Sequence, residues 1–93
     1  MSVIDLKPKA KKFIESLPSK HKRQVKDSIL SLQEKPVPHD AKKLLGYDSY
    51  LRVDIGEYRI IYQYEEAKDL VTVMLVGRRN DDNLYRVEKR TLK

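Results

Sequence analysis

The sequence predicts an α+β domain. Two stretches bounded by prolines carry apolar residues at helical spacing. They precede a run at 50–64, "YLRVDIGEYRIIYQY", that alternates apolar and polar side chains, and a run at 70–77, "LVTVMLVG", that is apolar nearly throughout. A period near 3.6 marks a helix with one buried stripe. A period of two marks a strand with one buried face, and a continuous apolar run marks a strand covered on both faces. The 93 residues fit a single domain spanning 1–93.

The elements follow in order. "SVIDL" reads as a short strand with Val3, Ile4 and Leu6. Pro8 stands where a helix can start, and Ala10, Phe13, Ile14 and Leu17 form its stripe. Pro18 ends that helix. Ser19 is placed to cap a second one, whose stripe is His21, Val25, Ile29 and Leu32, and Pro36 and Pro38 close it. The two helices read as a hairpin packed through one apolar face onto a sheet. "HDAKKLLGYDS" reads as a connection anchored by Leu44 and Leu45.

Gly56-Glu57 fits a two-residue type II′ hairpin turn. Such a turn sets the pairing: Ile55 with Tyr58, Asp54 with Arg59, Val53 with Ile60, Arg52 with Ile61. Side chains alternate between faces. Leu51, Val53, Ile55, Tyr58, Ile60 and Tyr62 therefore share an apolar face. Arg52, Asp54, Arg59, Ile61 and Gln63 share the other, mostly polar and open, opposite the helices. "EEAKD" is a turn, "LVTVMLVG" a central strand, and Asp81 or Asp82 can cap a short final helix bearing Leu84, Tyr85, Val87 and Leu92. The expected order is β-α-α-β-β-β-α: an N-terminal strand and helical hairpin on a small, mainly antiparallel sheet, with a short C-terminal helix.

Composition narrows the function classes. With 40% hydrophobic residues the chain can fold, and the lack of cysteine excludes disulfides and thiolate metal sites. The first residues have no signal-like apolar core and no run approaches a membrane span, so a cytoplasmic protein without a membrane partner is expected. The formal net charge is +6, from 20 Lys+Arg against 14 Asp+Glu. That surplus suits an anionic partner, nucleic acid or acidic protein, or simply a lysine-rich solvated surface. Gly46, Gly56 and Gly77 are too far apart for a phosphate loop, and His21 and His39 lack metal-ligand spacing. No motif implies a metal or other cofactor, and no serine has a recognisable base partner. An enzyme built from these residues would work by charge and positioning.

The residues that invite such a role are Arg52, Arg59, the Arg78-Arg79 pair at the end of the last strand, and Tyr85 beyond it. Guanidinium groups bind phosphate through paired hydrogen bonds, and an aromatic ring stacks on an unpaired base. Each also has a bland reading: Arg59 pairing with Asp54 across the hairpin, Arg78 and Arg79 as a solvated strand end, Tyr85 as a core anchor of the final helix. The grouping is what suggests a site.

"KKLLGYDSYLRVDIGEYRIIYQY" and "VTVMLVGRRNDDNLY" resemble the RelE/ParE toxin superfamily, and its RelE-like branch in particular, over nearly the whole chain. The shared features are a K-L-x-G anchor, a basic strand, a G-x-Y-R hairpin, and a strand ending in G-(K/R)-R with a later tyrosine. The resemblance implies the toxin of a type II toxin–antitoxin pair: an endoribonuclease that cuts mRNA in the ribosomal A site. The RNA's own 2′-hydroxyl attacks the adjacent phosphate, without a metal. It implies phosphate-binding roles for Arg59, Arg79 and Arg52, base stacking or proton transfer by Tyr85, and RNA backbone contacts by Lys43 and Arg78. The implied partners are the ribosome with its mRNA and a cognate RelB-like antitoxin with an acidic segment, in an oligomeric complex.

One position departs from the pattern. Asp54 stands where RelE-like toxins often have Lys or Arg. It either forms an ion pair with Arg59 or serves as the proton-accepting base. Two other functions remain open beside RNA cleavage: ParE-like inhibition of DNA gyrase, which Arg79 and Tyr85 fit less well, and non-catalytic binding of nucleic acid or an acidic peptide.

Overall fold

The computed structural model of the chain describes residues 1–44 and 47–79. The order is β1 (Val3–Leu6), α1 (Pro8–Glu15), α2 (Ser19–Ser31), β2 (Lys42–Leu44), β3 (Tyr47–Ile55), β4 (Tyr58–Glu65), a 3-10 turn (Glu66–Lys68) and β5 (Leu70–Arg78). The strands form one sheet in the order β1-β5-β4-β3-β2, with β1 parallel to β5 and every other pair antiparallel. The expected final helix, with Leu84, Tyr85, Val87 and Leu92, lies outside the described residues, as does Leu45.

The α+β expectation holds, and so does its hairpin register. Ile55 pairs with Tyr58, Asp54 with Arg59, Val53 with Ile60 and Arg52 with Ile61. Gly56 has φ +57°, and among the described non-glycine residues only Asp69 has positive φ. A positive φ at the first central residue and not at the second is the type II′ signature. Tyr58, Ile60, Tyr62 and Val53 point to the helices and meet Ala10, Ile14, Leu17, Val25, Ile29 and Leu32 in the main core, to which β5 adds Val71, Val73 and Val76. Within that core the Tyr62 hydroxyl donates to the Pro36 carbonyl at 2.8 Å. Burial, with the charge of Asp40, pushes its pKa up to about 12. His21, read as a packing position, is half-buried, with its Nδ1 2.6 Å from the Tyr58 hydroxyl.

Three details differ from the expectation. Ser19 is the first residue of α2 rather than its cap, because the carbonyl of Pro18 already accepts the first helical N–H, from Lys22 at 2.8 Å. Part of the presumed connection, Lys42–Leu44, is a short edge strand. Three residues carry too little periodicity to be read as a strand; pairing with β3 supplies the order. The face opposite the helices is not simply open. Ile61 is fully buried there with Leu44 and Leu75, flanked by the partly buried Tyr50 and Met74. A β-bulge makes this small second core. The register shifts between Ile61 and Tyr62, which pair with Leu75 and Val73, so Met74 is the extra residue on β5. Its insertion lets Val73 and Val76 face the helices while Leu75 faces the second core. The expectation that this strand is covered on both faces is thereby met.

Among the described residues no helix is long and apolar enough to cross a membrane.

Candidate nucleic-acid interface

The second core flanks the polar residues of the outer face, since Ile61 and Arg52 are register partners on the same side of the sheet. Arg52 and Asp54 project from β3 and Arg59 from β4, all on that face. Gly77 pairs with Arg59, so β5 sets no side chain beside the guanidinium. Arg79 follows the last residue of β5. Its backbone N–H donates to the Glu57 carbonyl at 3.0 Å, which extends the ladder into the hairpin turn and returns the residue to the arginine face.

Asp54 is the point of convergence. Its Oδ1 accepts from Arg59 Nε at 2.8 Å, and its Oδ2 lies 3.5 Å from Arg59 Nη2, 3.7 Å from Arg52 Nη1 and 4.0 Å from Arg79 Nη1. The ion pair between Asp54 and Arg59, one of the alternatives open in the sequence, is thus present. Three arginines against one aspartate leave the group a formal charge of +2. Burial opposes ionisation of Asp54. The hydrogen bond from Arg59 and the charges of Arg59, Arg52 and Arg79 outweigh it and hold the carboxyl below its ordinary value. A carboxylate so stabilised is a weaker base than a free one.

Accessibility grades across the group. The Arg59 side chain is 11% exposed, Arg52 27%, Asp54 29% and Arg79 47%. Arg59 is therefore held largely within the fold, while Arg79 is presented to solvent. An anion approaching the face meets Arg79 and Arg52 first and Arg59 last.

The other anticipated residues are placed differently. Arg78 pairs with Tyr58 and so stands on the helix face. Its Cζ lies 5.7 Å from the Tyr58 ring centroid and its Nη1 3.5 Å from Glu57 Oε2. The Arg78-Arg79 pair is thus split between the two faces. Lys43 pairs with Leu51, a helix-facing position, whereas Lys42 pairs with Arg52. Lys42 is the lysine that shares the arginine face, and sequence reasoning missed it because β2 was not legible as a strand. Tyr85 lies outside the described residues. The structure therefore brings Arg52, Asp54, Arg59 and Arg79 together, adds Lys42 at their edge, and sets Arg78 and Lys43 apart.

Comparison with known proteins agrees with the fold. The family model for the ParE toxin of type II toxin–antitoxin systems matches residues 4–83. RelE1 of Methanocaldococcus jannaschii is 27% identical in a 79-residue alignment that covers 82% of this chain and 88% of that relative. The isolated E. coli RelE toxin superposes with a TM-score of 0.74 at 23% identity, covering 100% of both chains. The archaeal RelE–RelB complex from Pyrococcus horikoshii gives a TM-score of 0.74 at 25% identity, covering 85% of this chain and 96% of that one. With the family model matching most of the sequence, the chain belongs to the ParE toxin family of type II toxin–antitoxin systems, within the RelE/ParE superfamily.

Proposed function

We propose that this toxin is a RelE-like endoribonuclease that cuts mRNA in the ribosomal A site. The observation that carries the reading is the convergence of Arg52, Arg59 and Arg79 on one patch of the sheet. In the reaction the 2′-oxygen of one nucleotide forms a bond to the adjacent phosphorus and the bond to the 5′-oxygen breaks, leaving a 2′,3′-cyclic phosphate and a 5′-hydroxyl. Negative charge grows on the phosphoryl oxygens at the transition state. Fixed guanidinium groups stabilise such charge without reorganising, an effect worth about 3–4 kcal/mol per well-aimed donor. The 2′-hydroxyl proton must leave and a proton must reach the departing 5′-oxygen; Tyr85 is the group that the resemblance nominates for this traffic. Lys42 extends the basic track toward the neighbouring backbone phosphate.

The partner fits the same surface. The Pyrococcus horikoshii relative was solved with RelB, which supports a RelB-like antitoxin here. An acidic segment that orders itself on the arginine face would neutralise the toxin by occupying the RNA's place. The compartment in keeping with ribosomal action is the cytoplasm.

The test is primer extension on an mRNA translated in a purified system with the protein added. New 5′ ends at ribosome-occupied codons are expected with the wild-type protein and not with Arg59→Ala or Arg79→Ala. Full cleavage by folded Arg79→Ala would remove the site assignment. A second reading, inhibition of DNA gyrase, is favoured by the matching family model being that of ParE. Loss of gyrase supercoiling without new RNA ends would establish it instead.

A further inference from the structure

A face built only to bind phosphate has no need of a carboxylate at its centre. Yet Asp54 occupies the point at which Arg52, Arg59 and Arg79 meet, with Arg59 gripping both of its oxygens, Nε on Oδ1 at 2.8 Å and Nη2 on Oδ2 at 3.5 Å. A guanidinium fork takes a carboxylate and a phosphate through the same paired geometry. A second observation concerns access. The Asp54 side chain is 29% exposed, whereas the Arg59 side chain it engages is 11% exposed. An incoming anion can therefore reach the carboxylate, and the Arg59 Nε and Nη2 donors that hold it become available only when the carboxylate yields them.

We propose that Asp54 is a built-in stand-in for the substrate phosphate, holding the three arginines assembled while no nucleic acid is bound and yielding its place when a phosphodiester enters. The inference rests on the reading of this face as an RNA-binding surface. It makes Asp54 a positioning residue with two opposed effects. It keeps three like charges from driving one another apart, and it competes with the ligand. Its carboxyl is held ionised by the surrounding guanidinium groups against the cost of burial, so the competition persists throughout the neutral range. The outcome is a toxin whose grip on free RNA is deliberately weak.

The size of the effect follows from the charge. Removing one unit charge at roughly 6 Å from an entering phosphate, at an effective dielectric between that of a protein surface and water, changes affinity by about tenfold. Freeing one guanidinium for a phosphate steepens the salt dependence of single-strand binding by about 0.7 in log–log slope.

The experiment is fluorescence anisotropy with an end-labelled 2′-O-methyl RNA octanucleotide, which lacks the attacking hydroxyl and so reports binding without cleavage. Wild type is compared with Asp54→Asn, Asp54→Glu, Arg59→Ala and Arg79→Ala, each checked for folding by circular dichroism. Asp54→Asn is expected to bind about tenfold tighter, Asp54→Glu to bind like wild type because an anion still competes, and both arginine variants to bind more weakly. If the arginine variants weaken binding but folded Asp54→Asn does not tighten it, the stand-in role falls while the RNA-binding reading survives. If neither arginine variant weakens binding, both fall. Equal tightening by Asp54→Asn and Asp54→Glu would trace the gain to loosened packing and would also overturn the proposal. A measurement on wild-type protein covers the case of a variant that does not fold: titration with inorganic phosphate, followed by the NMR signals of the arginine Nε–H groups. The Arg59 signal is expected to shift with the same half-saturation as that of Arg79. A stationary Arg59 signal beside a moving Arg79 signal would mean that phosphate does not replace the carboxylate.

Discussion

Ile61→Ala separates the two ways of seeing the arginine face. From alternation, Ile61 belongs to a polar, open surface; in the structure it is fully buried between Leu44 and Leu75. The substitution removes a methyl and an ethyl branch. At about 0.8 kcal/mol per buried carbon group, the transfer loss is about 2.4 kcal/mol. Incomplete collapse around the gap adds to this, so a total of about 3 kcal/mol is expected, within the range for such truncations. An exposed position would change stability by no more than about 0.5 kcal/mol. Urea denaturation followed by circular dichroism measures the difference directly, and for a domain of this size the thermal midpoint should fall by about 12–24 °C. Gln63→Ala, also on this face and only partly buried, is the control and should cost little. A loss below about 1 kcal/mol for Ile61→Ala would refute the second core. The arginines would then lack a rigid neighbour, since Ile61 pairs with Arg52 on the same face of the sheet.

Other expectations follow from the same geometry. Gly56→Ala forces φ +57° on a side-chain-bearing residue and sets its Cβ 3.0 Å from Gln24 Nε2. Because that amide can swing away, the cost is the backbone's, about 1–2 kcal/mol, read from the urea midpoint. Asp54 has a folded-state pKa below its unfolded value near 3.9. Its contribution to stability is therefore complete above about pH 4 and is lost as pH falls through the lower, folded value. Asp54→Asn should flatten the acid limb of a stability–pH curve, leaving the part due to Asp69, whose carboxyl is also lowered, by the Ser2 hydrogen bond first and then that of Tyr64. Lys42→Ala should weaken binding of single-stranded RNA and reduce the salt slope by about 0.7, while Lys43→Ala leaves both unchanged; the reverse result would place the RNA track on the helix face.

What could be read from the chain was local. A glycine followed by glutamate between two alternating runs specifies a two-residue turn. Once the turn is known, strict alternation sorts every side chain of β3 and β4 to a face, so the Asp54–Arg59 pair and the common face of Arg52 and Arg59 needed no further information. Proline positions and apolar spacing likewise marked the two helices. The rest depended on contacts between distant segments. Three residues at 42–44 are a strand only because β3 is beside them, and that pairing alone decides that Lys42, not Lys43, joins the arginines. The bulge at Met74 turns Leu75 toward Ile61 and makes a core where alternation along one strand shows only an isolated isoleucine. Adjacent Arg78 and Arg79 look equivalent in sequence, yet one stands over Tyr58 and the other beside Asp54, because a strand sends neighbours to opposite faces. The sequence by itself determined the hairpin and its charges. Only the tertiary structure decided that guanidinium groups from three segments would meet at one carboxylate, since that depends on the packing of strands which no local pattern encodes.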